Sequence, residues 1–232
     1  MGDRPRSMQR ALTALGRLGR LERTASLYES EAALVAGPRY LNTVCAVRTA
    51  LSPQQLLVAL KEAEVKIGRV PGPRFGPRAI DLDILLYDDA VISEMVPLPS
   101  GVLTGTPPGA DLELEIPHPR LEDRSFVLQP LSEIAPTATH PRLGRTAAEL
   151  SASLGEPPLT RVTPLGASAL AAGEEEGELL RWGGRTHLMG VINVTPDSFS
   201  DGGKAFTPEV AHPDTNPTPA LLHPILPHPT LP

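Results

Sequence analysis

One cysteine in 232 residues, Cys45, leaves no internal disulfide to hold the fold. Set in an apolar strand pattern, it reads as a packing residue rather than a nucleophile. Aromatic residues are only 3% of the chain, so a core drawn from the 41% hydrophobic fraction is mainly aliphatic. Basic residues (21) are outnumbered by acidic ones (27), and a net charge of -6 argues against a general nucleic-acid binder, which needs a basic face. A polyanionic small molecule stays in play, because a few local arginines can act against the overall sign. No apolar run approaches the ~20 residues of a membrane span, so no membrane partner is expected. A Walker-type glycine loop is also missing, which weakens a generic nucleotide-binding module.

What is present is a mixture of helix and strand patterns. The opening "MGDRPRSMQRALTALGRLGRLERTA" is rich in arginine and poor in acid, a composition shared by transit peptides. Its Met8, Ala11, Leu12, Leu15 and Leu18 fall on one helical face, and we read a surface helix over about 4–18. "TASLYES" and "YLNTVCAVRTA" read as strands. In "SPQQLLVALKEAEVKIG", Ser52 is an N-cap, Pro53 suits the first helical position and Gln55 completes a capping box. Leu56, Leu57, Leu60, Ala63 and Ile67 form its apolar stripe, and Gly68 is placed to end it. "AIDLDILLY" predicts a strand, "LPSGVLTGTPPGADLEL" a turn-rich loop, and "SFVLQPLSEIAP" a short apolar element. "TAAELSASL" carries a second capping box, Thr146 to Glu149. These patterns predict an α/β sandwich with helices against one sheet. Residues 156–181, with the acidic run Glu174–Glu176, read as a linker. "THLMGVINVT" reads as one more strand, and residues 207–232, with proline every few positions, as a disordered tail. His212, His223 and His228 each precede a proline there and are not taken as a metal site.

The chemistry gathers around "GRVPGPRFGPRAIDLDILLY". Side chains alternate along a strand, so Asp81 and Asp83 share a face while Ile80, Leu82, Ile84 and Leu86 share the other. Two carboxylates so placed suit magnesium, which takes oxygen ligands and substrate phosphates. Alone, they describe a solvated edge strand equally well. Arg69, Arg74 and Arg78 lie just upstream, and a planar, permanently charged fork suits phosphate oxygens. In "IPHPRLEDRSF", His118 and Arg124 can donate to phosphate, and Phe126 and Tyr40 could stack on a flat ring. Asn42 offers an amide to a heterocycle. Each of these has a structural alternative: Tyr40 and Phe126 as core, Asn42 as a strand-edge group, His118 as a turn residue.

The order "YLN … E-x-x-x-G-R … R-x-G-P-R-x-I-D-L-D-I-L-L-Y … I-P-H-P-R-x-x-x-R-x-F-V-L-x-P-L-x-E-I-A-P" closely resembles the 6-hydroxymethyl-7,8-dihydropterin pyrophosphokinases over residues 1–155. The resemblance implies an α+β fold, a ferredoxin-like α/β sandwich. It implies ATP-dependent diphosphate transfer to the pterin with release of AMP, in folate biosynthesis. It places two magnesium ions on Asp81 and Asp83, and Arg69 and Arg78 at the transferring phosphates. Arg74, His118, Arg124 and Glu64 then fall at ATP-contact positions, and Tyr40, Asn42 and Phe126 around the pterin. A second stretch, "LMGVINVTPDSFSDGG", resembles the first barrel strand and loop of dihydropteroate synthases across residues 182–206, with Asn193 at that family's magnesium and diphosphate position. One strand cannot close an eight-stranded barrel, so synthase activity is not expected.

The sequence departs from the first family at its start, where relatives begin with a strand ending in a "GSN"-like turn. The layout therefore implies a truncated kinase–synthase fusion. The expected alternative to an active pyrophosphokinase is a non-catalytic fragment that binds pterin, ATP or the full-length fusion. A cytoplasmic location is expected, with a mitochondrial one as alternative.

Overall fold

Helix α1 spans Arg4–Leu18 and α2 spans Pro53–Ile67 in the computed structural model, which describes residues 4–31, 39–69, 79–99, 111–155, 158–164, 179–184 and 186. The ends of α2 follow from its sequence. Ser52 Oγ accepts the Gln55 N–H at 3.3 Å, and Gln55 Oε1 accepts the Ser52 N–H at 2.9 Å. At the other end Gly68 takes φ 122°, a conformation that strains any residue with a side chain, and its N–H turns back to Glu64 and Val65 carbonyls. Leu57, Leu60, Ala63 and Ile67 are buried, and the larger three each contribute about 1.5–3 kcal/mol of apolar burial. Leu56 is only half-buried. The stripe holds one further member, Glu64, which is fully enclosed.

Strands β1 (Arg20–Thr24) and β2 (Leu27–Ser30) run back antiparallel through β3 (Tyr40–Asn42) and β4 (Cys45–Arg48). The two strands expected from sequence are thus each broken once. The Ala25 N–H donates to the Val44 carbonyl at 2.9 Å and carries the pairing across the break. Gly19 lets β4 come close, because a Cβ there would collide with the Arg48 carbonyl. Half-buried Cys45 has its thiol pKa pushed up by burial, with a hydrogen bond from Thr24 opposing, as suits packing rather than attack.

Strand β5 (Ile92–Pro97) pairs with β6 (Asp111–Ile116), so the "DLEL" end of the expected loop is strand. Helix α3 (Ser125–Ile134) follows and packs on β2, β3 and β4. Helix α4 (Ala147–Ser153) opens on the Thr146–Glu149 capping box and packs on α3. The linker expectation needs correction. Thr160–Pro164 forms β7 beside β2, and Leu179–Arg181 forms β8 beside β7, giving the order β3-β2-β7-β8. Pairing over so long a separation leaves no local trace in a proline-rich stretch.

"AIDLDILLY" also differs from expectation. Residues 80–87 form no strand and pair with none among the described residues. Strand assignment requires a ladder, and here the hydrogen bonds go elsewhere. The Leu85 carbonyl accepts the His118 N–H at 2.9 Å, and the Leu82 N–H donates to a side chain. The segment runs between two apolar clusters. Ile84 and Tyr87 pack with Leu57, Val96, Leu114 and Ile116; Leu85 and Leu86 pack with Val44, Leu121, Leu128 and Leu131. The simple inward face Ile80, Leu82, Ile84, Leu86 is therefore corrected, because both sides of this segment meet apolar neighbours. The architecture is α+β, as expected. The chain divides at Gly183/Gly184. The "THLMGVINVT" strand, Asn193 and the tail lie outside the described residues, apart from Thr186.

Candidate active site

Asp81 and Asp83 are both 46% exposed in their side chains, while Leu82 between them is half-buried. The carboxylates therefore face outward on alternate residues of the segment. What orients them comes from the last turns of α2. The Glu64 carboxylate, 0% exposed, accepts the Leu82 N–H at 2.7 Å and the Lys61 ammonium at 2.8 Å through Oε1. Its Oε2 takes Arg69 Nη1. The same Arg69 nitrogen reaches Asp81 Oδ1 at 2.8 Å. Lys61 Nζ also donates to the Leu82 carbonyl at 3.2 Å and stands 3.9 Å from Asp83 Oδ1. A buried carboxylate is costly unless its lone pairs are met, and three donors meet them here.

The turn after β6 comes within electrostatic reach of Asp83. The Ile116–Pro117 peptide is cis, and His118 follows it. Burial, the largest cause, pulls the His118 imidazole below its ordinary range; Asp83 opposes that and the Arg124 charge adds to it. The ring is accordingly neutral at pH 7. Its Nδ1 accepts the Arg120 N–H at 3.1 Å, which leaves the ring proton on Nε2, ready to donate. Arg124 lies over the Phe126 ring at 5.5 Å and, like His118, is within electrostatic reach of Asp83. Phe126 is half-buried against the cluster under α3.

Tyr40 is 39% exposed, and Asn42 donates through Nδ2 to Ser30 Oγ at 2.9 Å. Both sit on β3, the end strand of its sheet, against which α3 packs. No described contact joins them to the aspartates. Arg74 and Arg78 lie outside the described residues. Sequence reasoning assigned Glu64 to the nucleotide; in the fold its carboxylate is closed in by protein donors. Lys61 it missed altogether. Both had a signal: Glu64 falls on the helical repeat of Leu57, Leu60 and Ile67, and Lys61 stands three residues before it.

Magnesium often takes one or two carboxylates and completes its shell with substrate phosphates and water. Asp81 and Asp83 are hard oxygen donors open to solvent, and no group of three or more His, Cys, Asp or Glu gathers among the described residues. The donor set fits a metal that arrives with phosphate, not one caged by protein.

The sequence has counterparts among known proteins. A sequence profile for the 7,8-dihydro-6-hydroxymethylpterin-pyrophosphokinase (HPPK) matches residues 1–136. The chain belongs to the HPPK family. A 2-amino-4-hydroxy-6-hydroxymethyldihydropteridine pyrophosphokinase of Aquifex aeolicus is 36% identical over 142 residues, 61% of this chain and 78% of that protein. A mitochondrial folate synthesis bifunctional protein of Pisum sativum is 36% identical over 221 residues, 88% of this chain. The folic acid synthesis protein FOL1 of Dictyostelium discoideum is 34% identical over 224 residues, 90% of this chain. This HPPK-family chain spans 38% and 31% of the length of those two larger relatives.

Proposed function

We propose that the chain transfers the terminal diphosphate of ATP to 6-hydroxymethyl-7,8-dihydropterin and releases AMP. The observation that carries this reading is the outward pair Asp81 and Asp83, held over the Glu64–Arg69 network with His118 and Arg124 in reach of Asp83. Diphosphate transfer asks for positioning and charge neutralisation more than for a strong base. Asp81 and Asp83 would hold two magnesium ions, which would supply positive charge to neutralise the polyphosphate. Arg69, already on Asp81, can turn its fork to the phosphates, with Arg78 as its partner and Arg74 on ATP. Neutral His118 donates a hydrogen bond from its Nε2–H to phosphate, and Arg124 adds a fixed charge. Tyr40, Asn42 and Phe126 frame the pterin ring. Glu64 serves the nucleotide through the groups it holds.

The alignments support a fusion layout. They reach 88–90% of the chain with the two larger relatives and 61% with the Aquifex protein. We read residues 182–206 as a synthase-like fragment, with Asn193 in its ligand position, and expect no synthase turnover from it. The protein partner we propose is the full-length fusion. Among the described residues no helix is long and apolar enough to cross a membrane. We place the chain in the cytosol, with the mitochondrion as the alternative.

The test is AMP release from ATP, magnesium and the hydroxymethyl pterin. Asp81→Ala is expected to lower the rate on the order of 10³-fold, with pterin affinity nearly unchanged. A second reading, a fragment that binds without turnover, draws on the segment at 80–87, which pairs with no strand among the described residues. Pterin or ATP binding with no AMP from the wild-type chain would select it.

A further inference from the structure

Leu82 is gripped at both its backbone groups by two side chains from one turn of α2. Its N–H donates to Glu64 Oε1 at 2.7 Å, and its carbonyl accepts Lys61 Nζ at 3.2 Å. In an antiparallel ladder, a residue in a hydrogen-bonded pair exchanges both groups with one partner residue. Here an i,i+3 pair supplies the donor and the acceptor in place of a neighbouring strand. The two side chains are also locked to each other at 2.8 Å, so neither can swing away alone.

The grip falls on the one residue between the two aspartates. Fixing the Leu82 N–H and carbonyl sets the planes of the peptides on either side of it, and with them the directions in which Asp81 and Asp83 leave the backbone. Lys61 has a second relation to the pair, since its ammonium stands 3.9 Å from Asp83 Oδ1. Glu64 reaches the other member through Arg69, whose Nη1 bonds Asp81 Oδ1 at 2.8 Å.

We propose that Lys61 is a positioning residue of the aspartate pair, acting with Glu64 as a side-chain substitute for a β-ladder rung at Leu82 and so preorganising Asp81 and Asp83 for a divalent cation. The proposal rests on the magnesium role given to those aspartates above. Groups that orient metal ligands typically change metal affinity by about 10- to 100-fold when removed.

The test uses the full chain, Lys61→Gln and Lys61→Arg. Mn²⁺ binding is followed by electron paramagnetic resonance with a non-hydrolysable ATP analogue, and amide exchange of Leu82 and Asp83 by NMR. Thermal unfolding serves as the control for folding. Lys61→Gln is expected to weaken Mn²⁺ by about tenfold or more, to speed exchange at Leu82 and Asp83 in particular, and to raise KM for the metal–nucleotide more than it lowers kcat. Lys61→Arg, which keeps the charge and donors, is expected to recover most of the Mn²⁺ affinity. Wild-type Mn²⁺ binding with unchanged affinity in Lys61→Gln overturns the inference alone, whatever the exchange rates do. Uniformly faster exchange with a lowered unfolding temperature and no rescue by arginine also overturns it, since that is a general loss of stability. A wild-type chain that binds no Mn²⁺ overturns the metal role of the aspartates and this inference with it.

Discussion

Two glutamates, Glu64 and Glu29, are enclosed almost completely, at 0% and 1% side-chain exposure, and they serve different ends. Glu64 gathers Lys61, Arg69 and the Leu82 N–H, all within 18 residues of itself along the chain. Glu29, on β2, gathers Arg4 from α1 at 3.5 Å, Arg39 at 3.7 Å, and Arg181 from β8 at 2.8 and 3.1 Å. Arg181 is 152 residues away. The first carboxylate organises the short segment to which we assign the chemistry. The second staples distant pieces of chain to one strand. Similar burial therefore says little about role; the identity of the donors and what they next touch says more.

Substitution separates the two. Glu64→Gln leaves Lys61 and Arg69 without their buried counter-charge, at 13% and 20% exposure, and is expected to cost about 3 kcal/mol of stability in chemical denaturation. It is also expected to weaken Mn²⁺ and nucleotide binding together. Glu29→Gln is expected to cost less, about 2 kcal/mol, because two of its guanidiniums reach solvent at 46% and 50% exposure. Mn²⁺ binding in that variant should match the wild type; a loss there would erase the distinction. Arg181→Ala removes one arm of the staple and is expected to cost about 1 kcal/mol. The cleanest readout is amide exchange in β7 and β8, which should quicken while α2 stays protected. The smallest effect involves a third carboxylate, Glu133. Its pKa lies below the usual 4.5: burial opposes this, but hydrogen bonds from Tyr28 and Ser26 outweigh it. A depressed carboxyl contributes stability above its unfolded value, and loses that contribution as pH falls through the folded one. Glu133→Gln should therefore flatten the acid side of the thermal midpoint profile below about pH 5 and leave the neutral region nearly parallel to wild type.

The parts of this structure that could be read in advance are those with local causes. Ser52, Pro53, Gln55 and Gly68 delimit α2 by hydrogen bonds and backbone angles that involve only near neighbours. The spacing of Asp81 and Asp83 likewise put both carboxylates outward. What escaped depends on remote partners. Thr160–Pro164 becomes a strand only because β2 offers an edge more than 100 residues earlier, and residues 80–87 fail to be one because no described strand lies alongside. The candidate site divides in the same way. Its charged residues announced themselves by type, whereas Lys61 looked like an ordinary helical lysine until the Leu82 carbonyl was seen beneath it.

The grip on Leu82 bears on how this site can change over generations. A rung formed by main-chain atoms tolerates almost any substitution, since every residue but proline carries the same amide. A rung formed by a lysine and a glutamate is written in two codons and can be loosened, tightened or abandoned one mutation at a time.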